Sequence, residues 1–120
     1  MGYLQYITVA CHTSEESGDD EIEFYFDDFQ GEGWRLIGGV SIGEGETKHF
    51  TPDSSILVHG TDSLLVRESD LLVDDNIGLM VFGFDDSRFE FSSHPEWTSA
   101  SYTFTVQLDG PAGLRDRSQG

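Results

Sequence analysis

The stretch Glu68-Ser69-Asp70-Leu71-Leu72-Val73-Asp74-Asp75-Asn76-Ile77-Gly78 lies between two apolar runs. Leu64, Leu65 and Val66 precede it; Ile77, Leu79 and Val81 follow. Short apolar runs joined through a polar turn read as neighbouring β-strands. Four acids fall within the eight residues from Glu68 to Asp75. Adjacent carboxylates repel each other. A turn that gathers them is stabilised by a cation, or else by wide spacing in water. The expectation is the cation.

The rest of the chain repeats the strand pattern. Tyr3 to Cys11 is rich in β-formers on both faces, with Tyr3, Ile7, Val9 and Cys11 opposite Leu4, Tyr6 and Ala10. Such a strand is expected to be covered on both sides. Glu21 to Asp27 alternates, with Ile22, Phe24 and Phe26 inward and Glu21, Glu23 and Tyr25 outward. Trp34 to Ile37 reads as a short strand ended by Gly38-Gly39, and Val40 to Gly45 as a loop. Glu46 to Phe50 reads as an edge strand. Ile56 to His59 is either a strand or part of a long connection. Ser63 to Glu68, Ile77 to Phe84, Phe89 to Phe91 and Ala100 to Leu108 complete the set. In the second of these, Ile77, Leu79 and Val81 oppose Met80, Phe82 and Phe84. No amphipathic helix of useful length and no internal repeat appears. Short strands at regular spacing with turns between them predict an all-β antiparallel β-sandwich. Residues 1–109 form one domain, and 110–120, poor in large apolar residues, form a flexible tail.

Composition narrows the function. The formal net charge is −17, from 23 acids against six bases, and Lys48 is the one lysine. Such a charge opposes compaction, so bound cations or salt should stabilise the fold. It also argues against direct binding to nucleic acid or anionic lipid without a counter-ion. Cys11 is the one cysteine, which excludes an internal disulfide and a cysteine-rich zinc site; it reads as a small core residue. The sequence shows no signal peptide and no membrane-spanning run, so a cytoplasmic or non-classically exported protein is expected. Trp34 and Trp97 read as core or as cover for a sandwich end.

If successive strands reverse direction, the acidic loops 12–20 and 69–76 meet at one end. An independent strand at Ile56 to His59 would reverse that parity and separate them. Together the loops offer Glu15, Glu16, Asp19, Asp20, Glu68, Asp70, Asp74 and Asp75. Calcium takes about six to eight oxygen ligands from carboxylates, carbonyls and water. Zinc would need His or Cys in a tetrahedral set, which neither loop supplies. The alternative is a solvated acidic rim without metal.

These motifs resemble those of C2 domains, the calcium- and phospholipid-binding β-sandwiches. Glu68-Ser69-Asp70, a spacer and Asp75-Asn76-Ile77-Gly78 are similar to a third calcium loop. Glu15, Gly18, Asp20 and the strand from Glu21 are similar to a first one. A set of small bacterial C2-like domains looks closer still, through Cys11, Thr13, Glu15, Gly18, Asp20-Glu21, Phe24-Tyr25, Asp70, Asp75, Ile77-Gly78 and Ser101-Tyr102-Thr103-Phe104-Thr105. The resemblance spans residues 3–108. It departs at Glu15 and Glu68, where Asp is commoner, and at Asn76, where an aromatic is usual. It implies eight strands and calcium held by Glu15, Asp20, Glu68, Asp70, Asp74 and Asp75. Leu71-Leu72-Val73 then sits at a loop tip, where it enters lipid or contacts a partner; the other reading folds it into the core.

Three functions follow from these readings. The first is a calcium-dependent adhesion or phospholipid-binding module, and the second a structural calcium domain that binds a protein partner. The third is an acidic inhibitor imitating nucleic acid, for which Glu21, Glu23 and Asp27 line an outward strand face. No enzyme is expected. Asp85, His94 and Ser99 could be strung into a triad on paper, but no Gly-x-Ser-x-Gly elbow is present.

Overall fold

Alternating apolar residues build eight strands: β1 (Leu4–Thr13), β2 (Asp20–Asp27), β3 (Arg35–Ile42), β4 (Thr47–Phe50), β5 (Ser63–Glu68), β6 (Asp75–Val81), β7 (Arg88–Ser92) and β8 (Ser101–Leu108). The computed structural model describes residues 2–14, 18–27, 33–69 and 75–114. Two four-stranded sheets form, in the orders β4-β1-β8-β7 and β3-β2-β5-β6. Every pairing is antiparallel. The inner faces meet through Ile7, Val9 and Cys11 of β1, Ile22, Phe24 and Phe26 of β2, and Tyr102, Phe104, Val106 and Leu108 of β8, all buried. This is the expected all-β antiparallel β-sandwich, with eight strands. Phe91 stacks on Phe104 at 4.9 Å and Phe82 meets Phe89 edge-on at 5.0 Å, which locks β7 and the end of β6 into the core.

The structure departs from the expected pattern where glycines and bulges intervene. Gly38-Gly39 does not end β3; the strand runs through both and on to Ile42. A side chain at Gly39 would place its first carbon 2.2 Å from the Ile22 carbonyl oxygen, and one at Gly38 would strike the Phe50 ring at 2.4 Å. The two glycines let β3 lie tight against β2 and under β4 while its pairing continues. In β1 a bulge between Leu4 and Tyr6 turns Leu4 to the core side with Ile7. The strand is therefore buried on one face, and Tyr6 and Ala10 on the other are half-buried. A bulge in β6 at Ile77, between Asn76 and Gly78 and opposite Val66 and Arg67, puts Ile77 inside and leaves Leu79 and Val81 outside. Trp34 and Trp97 are exposed, at 45% and 41%, rather than core.

Ile56 to His59 is a connection, tied down by the isolated bridge between Tyr3 and Leu57 with Ile56 and Val58 buried. Residues 110–114 lie against the domain. Ala112 is buried, and the Gly113 N–H donates to the Phe84 carbonyl at 2.7 Å while its own carbonyl accepts from Gly60 at 2.8 Å. Residues 115–120 lie outside the described residues.

The close approach at Gly39 has a measurable consequence. Gly39→Ala should destabilise the domain by about 2–3 kcal/mol, because the obstacle is backbone. Gly45→Ala, in a turn with φ of 82° and open space around it, should cost only about 1–2 kcal/mol. Urea unfolding of both variants checks the ranking; equal losses would contradict the packing described at Gly39.

Candidate functional site

The connection between β1 and β2 and that between β5 and β6 share one end of the sandwich. The register of β2 against β5 fixes this: Ile22 lies opposite Glu68, and the Ser69 N–H donates to the Glu21 carbonyl at 2.8 Å. The turn between β3 and β4 and the loop between β7 and β8 come to the same end, since their strands run the same way. The parity expected from sequence is the one observed.

Three of the six expected ligands fall in described residues, and all three stand at this end. Asp20 opens β2 and is buried, at 2% exposure; Glu68 closes β5 and is buried, at 7%. Glu68 is the cross-strand partner of Asp75, which opens β6 and is exposed. The other three, Glu15, Asp70 and Asp74, lie outside the described residues, as do Leu71, Leu72 and Val73. Among the described residues, no group of three His, Cys, Asp or Glu side chains is gathered closely enough to hold a metal.

Asp20 is buried because a tyrosine meets it. The Tyr102 hydroxyl on β8 donates to Asp20 Oδ2 across the gap between the sheets. Tyr102 lies opposite Cys11 in the β1–β8 register, so the three side chains form one buried polar group under the acidic loops. Burial, the hydrogen bond to Asp20 and the negative charges of Asp20 and Glu68 all push the Tyr102 hydroxyl well above the usual phenol range. Burial also pushes the Cys11 thiol up, with the carboxylates of Asp20, Glu44 and Glu46 adding to the rise and a Tyr102 hydrogen bond opposing it. A buried thiol held in its neutral form is a poor nucleophile. Cys11 is the small core residue expected.

Sequence reading missed part of this end. Glu44 and Glu46, in the β3–β4 turn, add two more acids. Glu44 Oε1 accepts from the Ser14 N–H at 3.1 Å and Glu46 Oε1 from the Gly43 N–H at 2.7 Å. Asp19 Oδ2 accepts from the Ser41 hydroxyl at 3.5 Å. The signal was the run Gly43-Glu44-Gly45-Glu46, an acidic turn between strands that run to the same end. It was obscured by reading β3 as ending at Gly38.

His59 lies against Asp62, at 3.9 Å, while His12 and His94, toward the acidic end, have their rings engaged by other groups. His12 Nε2 lies 2.9 Å from the Thr103 hydroxyl on the outer face, and His94 stacks on Trp97 at 4.6 Å. Asp85 precedes β7 while His94 follows it, so the length of a five-residue strand, about 17 Å, separates them. Asp85, His94 and Ser99 form no triad.

No protein-family model and no curated protein matches this chain. Among solved structures, one titled "Structure of a C2 domain" aligns with 12% identity and a TM-score of 0.54, over 89% of this chain and 96% of that one. At that identity the likeness speaks for the fold alone: the chain is a C2-like β-sandwich. The end of the sandwich described above is where its acidic connections converge.

The Tyr102 hydroxyl sets a pH dependence. Unfolded tyrosine loses its proton near pH 10, and folded Tyr102 holds its proton to higher pH. Above about pH 10 the folded state therefore binds more protons, and stability falls as pH rises. Below that value the group gives no slope. Tyr102→Phe should lower stability at pH 8 by about 1–3 kcal/mol, by leaving Asp20 without its donor. It should also flatten the decline between about pH 10 and 11.5. Urea midpoints across that range, for both proteins, check the result.

Proposed function

We propose that this chain is a calcium-binding C2-like module with the ion at the acidic end, serving adhesion to a lipid or protein surface. The observation that carries the reading is the convergence of β2, β5 and β6 on that end with Asp20 and Glu68 buried inside it. Buried carboxylates are costly when their repulsion is not offset. The donor set fits calcium: every proposed ligand is a carboxylate, and the rings of His12 and His94 engage Thr103 and Trp97 instead. The proposed ligands are Asp20, Glu68 and Asp75 from the strand ends, with Glu15, Asp70 and Asp74 from the connections. Bound calcium supplies the positive charge that offsets carboxylate repulsion. Asp20 and Glu68 give the site rigid members, since both belong to paired strands. Leu71, Leu72 and Val73 are the proposed contact for lipid or a partner. This reading carries the calcium and phospholipid functions of the resemblance to the chain; the fold alone does not supply them.

Calorimetric titration of calcium into chelator-stripped protein tests the reading. Binding should appear, and Glu68→Gln should weaken it by about tenfold or more, a loss of about 1.4 kcal/mol. At a free calcium level of 100 times Kd the fold should gain about 2.7 kcal/mol, visible as a raised melting temperature that chelator reverses. A flat titration would replace the reading with an acidic rim that binds no metal. Sedimentation with anionic liposomes separates the two surfaces: calcium-dependent pelleting supports lipid, and its absence alongside calcium binding supports a protein partner.

A further inference from the structure

Four strands lie at sheet edges: β4 and β7 in one sheet, β3 and β6 in the other. An edge strand presents unpaired N–H and C=O groups, and proteins blunt such edges with short length, charge, bulges or cover. β4 is four residues long and carries Lys48 and His49. β7 carries Arg88 and Glu90. β3 breaks register beside Gly38, and its Ser41 carbonyl accepts from the Lys48 ammonium group. β6 is covered at its upper half, where the His94 N–H donates to the Ile77 carbonyl at 2.7 Å. Its lower half, Leu79-Met80-Val81, has no charge, and among the described residues no backbone group pairs with its outer edge.

The ladder fixes which backbone groups face outward there. The Ser69 N–H bonds to Glu21, so along β5 it is Leu65 that turns its backbone to Tyr25. The Phe82 N–H donates to the Asp62 carbonyl at 2.8 Å, so along β6 it is Met80 that turns to Leu64. Intervening residues of an antiparallel pair face away from the partner strand. Leu79 and Val81 therefore point N–H and C=O off the sheet, in line with Ile77, and among the described residues nothing bonds to them. Their side chains are also exposed, at 47% and 59%. Beside them, Leu36, Tyr25, Leu65 and Leu79 lie in register across all four strands as an apolar row on the outer face.

We infer that the lower half of β6 accepts an extended segment of a basic protein, added to this sheet as a fifth strand. Main-chain bonds to Leu79 and Val81 supply the ladder, and the guest residues opposite them pack on the exposed Leu79 and Val81 side chains, at the end of the apolar row. Charge chooses the guest: a chain at −17 repels a second copy of itself and attracts lysine- and arginine-rich sequence. The inference stands apart from the calcium reading, at a different face.

The probe is a fluorescent seven-residue peptide of alternating lysine and valine. Its control has proline at the central valine, which removes a ladder donor and keeps the charge. In about 0.15 M salt, where exposed charges are largely screened, anisotropy should show the peptide binding about tenfold tighter than its control. Val81→Pro deletes only an outward N–H and should weaken binding by about tenfold. Leu79→Thr with Val81→Thr keeps strand-forming residues and should also weaken it, while hydrogen exchange in wild type slows at the Leu79 and Val81 amides. Equal affinity for the two peptides, or binding indifferent to the paired threonine variant, would reduce the effect to charge and overturn the inference. A concentration-dependent dimer in sedimentation that Val81→Pro abolishes would also overturn it, by assigning the edge to a second copy. Should Val81→Pro fail to fold, the threonine variant and the exchange pattern decide.

Discussion

A buried hydrogen bond joins the two sheets where the acidic connections gather: the Tyr102 hydroxyl to the Asp20 carboxylate. Over the buried core the sheets meet through apolar contact, which has strength but little direction. A directional bond at one end fixes how far one sheet can slide over the other. It also explains how a carboxylate can be buried with so many like charges near it, since a buried acid without a donor would be costly. The candidate site thereby inherits its position from the core. Asp20 is anchored through Tyr102 to β8, and Glu68 sits at the end of a strand paired on both sides.

Charge is the second constraint. Six bases cannot neutralise 23 acids, and some of the bases lie against aromatic faces. The Arg67 guanidinium stands 5.5 Å from the Tyr25 ring and that of Arg35 stands 6.0 Å from the Phe26 ring. The acids are therefore sorted by place more than by partner. Asp19, Asp20, Glu44, Glu46, Glu68 and Asp75 gather at one end, where their like charges repel.

Much of the fold was legible because alternation survives where strands are regular. β2 carries the expected inward residues Ile22, Phe24 and Phe26, and the parity that unites the two acidic connections followed from counting reversals. What escaped was local. Bulges beside Leu4 and Ile77 shift the alternation by one residue, and a bulge leaves no mark in a hydrophobic pattern. Gly38 and Gly39 read as a strand end because glycine usually punctuates; here they permit close approach instead. In the candidate site, Asp20, Glu68 and Asp75 were legible from their density of charge. The role of Tyr102 was hidden, since a sequence pattern does not show that a hydroxyl eighty-two residues away will meet a carboxylate. Glu44 and Glu46 were hidden behind the misplaced end of β3.

The pairing of β1 with β8 sets an order of events. Leu4 lies opposite Leu108 and Val9 opposite Phe104, and this pair sits in the middle of its sheet. That sheet cannot be completed until the segment through residue 108 has left the ribosome, so β1 waits for its β8 partner during synthesis. The same pairing brings Tyr3 and Asp109 into mutual hydrogen bonding, at 2.7 and 2.9 Å. Entry and exit of the chain therefore stand side by side, the geometry that lets a domain be spliced into a loop of a host or cut and rejoined in a new order.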